Sequence, residues 1–232
     1  METNKIGQHI SLQFDRELQD IRHKVLLMGG LVEQQIEQAI KAFSSSDTDL
    51  AEWVIKQDNQ VNSMESTIDQ ECIQIIALRQ PTAIDLRLLI SVIKILTEIE
   101  RVGDQAKRIA QMAIHLANDS NHTDSYYELH HIGEMVTKML HQALDAFARM
   151  NIDGVPEINA QDDNVNREYK GIVRQLVTKM MEDPRNISHS LDILWAARVL
   201  ERIGDHSCNI GEYVIYMMKG EDVRHARGTK PI

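Results

Sequence analysis

Proline is nearly absent from this chain: four residues in 232, alongside only three phenylalanines. A chain so poor in helix breakers can run long helices without interruption, and 43% hydrophobic residues supply a substantial core. Strand-like alternation of apolar and polar residues is absent too, which argues against a sheet-based fold. Cysteine is scarce. Cys72 and Cys208 stand far apart within helical patterns, so two reduced, buried thiols of a cytoplasmic protein are expected in place of a disulfide framework. Positive charge is in deficit, 25 Lys and Arg against 35 Asp and Glu, for a formal net charge of −10. Such a surface repels nucleic-acid phosphates and anionic lipid headgroups, so no nucleic-acid partner is expected. The longest apolar stretch, Leu88–Ile90 with Val92 and Ile93, is broken by Ser91 and Lys94 and is too short to span a bilayer. The start, METNKIGQHISLQFDRELQD, reads as neither signal peptide nor anchor.

What is present is present twice. ERVGD at 100–104 returns as ERIGD at 201–205. MGGLVEQQIEQAIKAF at 28–43 lines up with IGEMVTKMLHQALDAF at 132–147, with Gly29/Gly133, Val32/Val136, Gln38/Gln142, Ala39/Ala143, Ala42/Ala146 and Phe43/Phe147 identical at an offset of 104. DNQVN at 58–62 meets DDNVN at 162–166 at the same offset, which falls to 101 at the pentapeptides. Matches that keep order and spacing over this length mark a tandem duplication, the second half having lost three residues in a connection.

Each half reads as three helices. Leu18, Ile21, Val25, Met28, Val32, Ile36, Ala39, Ile40 and Phe43 keep to one helical stripe. SSSDTD (44–49) breaks it and caps a second helix over 48–79. After QPTAID, where Pro81 and a Thr82/Asp85 capping pair suit a helix start, a third helix covers 82–117. NDSNHTDS (118–125) separates the halves, and helices over 126–150, 154–182 and 188–219 follow. Long helices on short turns return antiparallel. The expected fold is therefore all-α, two tandem three-helix bundles covering 1–119 and 120–220 with a tail at 221–232.

The pentapeptide combines two locally unfavourable choices. Glu100/Asp104 and Glu201/Asp205 stack like charges one turn apart. Gly103 and Gly204 sit mid-helix, where glycine costs about 0.5–1 kcal/mol relative to alanine. A hard cation bridging the carboxylates offsets the first, and close approach of another helix explains the second. A solvated face, with the glycine marking tight packing, accounts for the same spacing. Two carboxylates are too few for an ion, and further ligands are sought at Asp58, Asn62, Glu65 and Asp69 on the second helix and Asp162 and Asn166 on the fifth. The halves differ here, because Glu65 and Asp69 fall opposite Tyr169 and Val173.

Other candidates fade. Glu128 and His131 make an E-x-x-H pair, but di-iron bundles need it twice and the duplicate positions hold Lys24 and Leu27. Phosphate-loop, dinucleotide, nucleophile-elbow and zinc spacings are missing. Arg79, Arg87 and the helix start at Thr82 suit an anion or ordinary capping equally.

The duplicated units with E-R-[IV]-G-D on each third helix resemble the PhoU family of bacterial phosphate-uptake regulators, as do MGGLVEQQ, RQPTAIDLRLLISVIK, DAFARM, EYKGIVRQLVTKMMED and YMMKGEDVRH. The resemblance runs from about Gln8 to His225. It implies a cytoplasmic, all-helical, non-enzymatic adaptor. Its partners would be the ATPase subunit of a phosphate ABC transporter and a sensor histidine kinase, with the phosphate-starvation response held off when phosphate is plentiful. It also implies that Glu100, Asp104, Glu201 and Asp205 bind divalent or trivalent metal ions such as iron, manganese or magnesium. A homodimer is expected, and Ala148 and Arg149 in DAFARM are candidate partner contacts.

Overall fold

The computed structural model describes residues 12–117 and 127–223. They form α1 (Leu12–Ser45), α2 (Thr48–Arg79), α3 (Ala83–Ala117), α4 (Tyr127–Arg149), α5 (Val155–Glu182) and α6 (Ile187–Lys219), with a 3-10 turn at Pro184–Asn186. Among the described residues there is no strand, so the all-α expectation holds. Where the spacing predicts helix limits, the observed ones differ by at most one residue. The segment between the halves, the end of the tail and the side chain of Glu128 lie outside the described residues.

The duplication extends to backbone turns that share no sequence. Ser46 and Met150, 104 apart, both adopt positive φ, at 52° and 51°. Past them the Asp47 N–H donates to Ala42 O at 3.1 Å and the Asn151 N–H to Ala146 O at 3.0 Å. Each closes its helix through a left-handed residue and a long-reach hydrogen bond. Buried pairs keep the offset of 104 along the second helix of each half, as Ile68/Ile172 and Cys72/Leu176. The three-residue loss therefore lies in the connection after that helix.

Packing joins the halves more closely than two separate bundles would. α1 contacts α3, α3 contacts α6, α6 contacts α4 and α4 contacts α1, closing a ring of four helices; α2 lies on α1 and α3, and α5 on α4 and α6. One continuous apolar core runs through both halves. At the α1–α4 crossing a Cβ on Gly29 would stand 2.6 Å from Leu144 Cδ1, and one on Gly133 would collide with Ile40 Cδ1. Gly29 and Gly133 are duplicates, and so are Ile40 and Leu144, so the crossing is a reciprocal, pseudo-two-fold contact. Along the other seam Arg87 meets Met217, Glu98 meets His206 and Asn209, and His115 meets Asp192. The order is antiparallel, and it puts the two pentapeptides side by side at the middle of the α3–α6 seam.

The anion alternative at the α3 start is displaced by local pairing. Arg79 grips Glu17 with Nε at 3.0 Å and an η nitrogen at 2.6 Å, Arg87 Nε donates to Met217 O at 3.0 Å, and the Thr82 hydroxyl donates to Asp85. Cys72 and Cys208 are buried free thiols, and burial with nearby Asp69 and Glu71 pushes Cys72 up to about 12.

Candidate functional site

Each pentapeptide carries its Val or Ile into the core and turns its carboxylates toward the outer helix of its own half. Val102 and Ile203 are buried, whereas Glu100 and Asp104 face α2 and Glu201 and Asp205 face α5. The glycines make this possible. A Cβ on Gly103 would lie 3.3 Å from Gln35 Oε1 and 3.4 Å from Val61 Cγ1; one on Gly204 would lie 3.2 Å from Asp162 Oδ1. Without a side chain there, α3 and α6 come close enough for the outer helix to deliver an aspartate beside each E-x-x-x-D pair.

Between α2 and α3 the structure brings together Asp58, Asn62, Glu65, Glu100 and Asp104. Burial, then the charges of Asp104, Glu65 and Asp58, push the Glu100 carboxyl above its ordinary range. Asp58 is 1% exposed; Asn62 Nδ2 donates to its Oδ2 at 3.3 Å and Lys107 Nζ at 2.7 Å. Asp58 Oδ1, Asn62 Oδ1 and Gln35 Oε1 are buried with no hydrogen-bond partner among the described residues. Asp69 stands further along α2. It raises Glu65, after burial, but is not among the charges acting on Glu100.

Between α5 and α6 the same frame holds a different set. Asp162, Asn166, Glu201 and Asp205 come together, Asn166 donating to Asp162 Oδ2 at 3.2 Å. Burial and then Asp205 push Glu201 up, against the pull of Arg198. Arg198 donates to Glu201 Oε1 at 2.6 Å and lies 5.8 Å from the centroid of the Tyr169 ring. Glu201 Oε2 is buried without a hydrogen-bond partner among the described residues.

The donor set suits a hard cation, being carboxylate and amide oxygens on facing helices with buried lone pairs unused. As the side chains stand, no group of three or more His, Cys, Asp or Glu among the described residues is arranged to hold an ion. Lys107 and Arg198 occupy part of that space.

The contributions of Lys107, Arg198 and Tyr169 escaped the sequence reading. The signal was there: Lys107 is three residues past Asp104 and Arg198 three before Glu201, on the carboxylate faces. A second polar group was missed altogether. Buried Glu98 of α3 bridges to α6, its Oε2 meeting His206 Nδ1 at 2.7 Å and Asn209 Nδ2 at 3.1 Å, while Arg101 donates to Oε1 at 2.9 Å. The repeat gave no hint of it, because its duplicate positions are Val199, Gln105 and Arg108. The two residues of DAFARM are engaged within the chain: Arg22 donates to Ala148 O at 2.7 Å, and exposed Arg149 pairs with Asp145 at 2.7 Å.

The PhoU domain matches residues 25–113 and 129–214. The chain belongs to the PhoU family. It is 50% identical to the phosphate-specific transport system accessory protein PhoU homolog of Pseudomonas aeruginosa, over 98% of this chain and 94% of that protein. With the phosphate-specific transport system accessory protein PhoU of Escherichia coli it shares 47% identity over 99% and 95%. The crystal structure of PhoU from Pseudomonas aeruginosa superposes with a TM-score of 0.86 at 50% identity, covering 90% of this chain and all of that one. The phosphate transport system regulatory protein PhoU from Streptococcus pneumoniae gives 0.84 at 30% identity, covering 91% and 99%. No helix among the described residues is long and apolar enough to cross a membrane.

Opposed carboxyl shifts in this PhoU-family chain predict an unusual pH profile. Glu65, Glu100 and Glu201 are raised, burial being the first cause in each. Such groups bind protons more readily folded than unfolded, so metal-free protein should gain stability as pH falls from neutral toward their unfolded value of about 4.3. Burial pushes Glu98 up, but bonds from His206 and Asn209 and the charges of His206 and Arg101 outweigh it and hold it low. Its stabilisation is present above about pH 4.3 and lost below, as the carboxyl protonates. Thermal unfolding with chelator should therefore show maximum stability on the acidic side of neutrality. A midpoint climbing steadily from pH 5 to pH 7.5 would contradict the assignment.

Proposed function

We propose that this chain is a cytoplasmic negative regulator of phosphate uptake and of the phosphate-starvation response. It acts as a metal-binding adaptor, without turnover of its own, between the ATPase subunit of a phosphate ABC transporter and a sensor histidine kinase. One observation carries the reading: end to end, the chain pairs with relatives named as accessory proteins of the phosphate-specific transport system. Long helical faces suit docking to partner domains, and a homodimer would present each face twice.

Metal belongs to the proposal through the outer seams. Glu100, Asp104 and Asp58 would hold an ion between α2 and α3; Glu201, Asp205 and Asp162 offer the matching set between α5 and α6. When bound, the ion supplies charge neutralisation that lets carboxylates on two helices share one centre. Glu100→Gln with Glu201→Gln should then strip metal from the purified protein, read by elemental analysis, while the helical circular dichroism is retained. Unchanged metal content would remove the metal from the proposal.

The adaptor role is tested by pull-down of the transporter ATPase and the kinase cytoplasmic domain, with metal and after chelation. Retention of either partner supports it, and dependence on metal would put the carboxylates at the signalling interface. Retention of neither, or phosphate release from simple phosphoesters by the metal-bound protein, would overturn it.

A further inference from the structure

Duplication would give two equal sites, but the two seams differ in the cation each already holds. We infer that the α2–α3 cluster is the one that takes a hard divalent cation in this chain, whereas Arg198 serves as a permanent resident cation in the α5–α6 cluster. The inference rests on the metal-binding reading above and concerns how the two centres divide that role.

In the α2–α3 seam four carboxylates, Asp58, Glu65, Glu100 and Asp104, share the space, as their mutual influence on Glu100 records. The buried Oδ1 of Asp58 is unused. The cation there is Lys107, whose partly exposed ammonium touches Asp58 Oδ2 alone at 2.7 Å. An ammonium on a flexible four-carbon stem is strongly hydrated and can withdraw into water at little cost. An incoming ion displaces it and finds Asp58, Asn62, Glu100 and Asp104 with oxygens to offer.

The α5–α6 seam departs at two of those positions. Tyr169 stands where Glu65 does, which removes a carboxylate, and buried Cys208 stands where Lys107 does. The cation arrives instead from Arg198, whose duplicate position is Thr97. Its guanidinium is held on two sides, by Glu201 Oε1 at 2.6 Å and by the Tyr169 ring. Guanidinium does not lose its charge at any relevant pH, is weakly hydrated, and stacks on aromatic faces. It is therefore a poor leaving group for an incoming metal, which would find only Asp162, Glu201 and exposed Asp205. Glu201 keeps one buried oxygen unused, so removing Arg198 should open the site.

The test is titration of the chelator-stripped full-length chain with Mn²⁺, counted by calorimetry and by the paramagnetic resonance of free ion. Wild type should bind one ion per chain, and Glu100→Gln should lose it. Arg198→Met should bind two, and adding Glu201→Gln should return it to one. Lys107→Met should tighten the first ion on the order of tenfold, by removing a competing charge from Asp58. Two equal ions in wild type, or full uptake by Glu100→Gln, would overturn the inequality and leave the metal-binding reading standing. No ion in wild type or in Arg198→Met would overturn both. If Arg198→Met does not fold, wild type and Glu100→Gln decide alone.

Discussion

Replacing Glu98 with alanine should lower stability by about 3 kcal/mol, the scale for breaking a buried charged network by removing one member. In a chain of this length that is a fall in thermal midpoint of about 6–12 °C. Glu98 is the only acceptor printed for His206 and Asn209 across the seam, and it also receives Arg101. Its loss leaves the His206 ring and the Asn209 amide facing each other between α3 and α6 without the carboxylate that organises them. The replacement also removes the low carboxyl of the pH profile, so the acid-side loss of stability should flatten in the same variant. Glu98→Gln separates charge from shape, since the amide keeps an acceptor for Asn209 while giving up the ionic pairing. It should fall between wild type and alanine. A midpoint for Glu98→Ala within about 2 °C of wild type would mean that less than about 1 kcal/mol rests on the network.

Gly103→Leu should cost a similar amount, about 3 kcal/mol, at the upper end for an overpacked core. A Cβ alone meets Gln35 Oε1 at 3.3 Å and Val61 Cγ1 at 3.4 Å, and the remaining leucine carbons have no space between α1, α2 and α3. The helices must part, which draws Asp58 away from Glu100 and should abolish metal uptake together with stability. Gly103→Ala is the control. Alanine gains about 0.5–1 kcal/mol of helix propensity and loses a comparable amount to the tight contacts, so its midpoint should stay near that of wild type. Equal midpoints for alanine and leucine, measured by thermal circular dichroism, would show that the glycine is not there for close approach.

The carboxylate cluster was half legible in sequence. Glu100/Asp104 and Glu201/Asp205 announce themselves because a like-charged pair around a mid-helix glycine is locally unfavourable twice over, and a feature that is costly locally points to a tertiary reason. Asp58/Asn62 and Asp162/Asn166 were reachable because the repeat carries them at one offset, and both pairs do lie against their pentapeptide. Asp69 shared the stripe but extends past the crossing, and a stripe does not say where a partner helix leaves it. Tyr169 and Arg198 were illegible as a pair, since a ring and a guanidinium 29 residues apart meet only when α5 folds back on α6. Glu98 was hidden for another reason: it breaks the repeat, and a duplicated pattern draws attention to what is kept.

By itself, then, the sequence determined the helical class, the duplication, the limits of the helices and the acidic faces. Each of these is set by interactions within a few residues along one chain, by turn chemistry, or by self-similarity. Only the tertiary structure decided that α1–α4 and α3–α6 close a four-helix ring with one core, that Glu98 fastens the halves across it, and that Lys107 and Arg198 supply different cations to two seams of common ancestry. Those outcomes depend on which side chains meet across helices far apart in sequence. Such meetings are settled by packing volume and charge pairing in three dimensions, to which a one-dimensional period is blind.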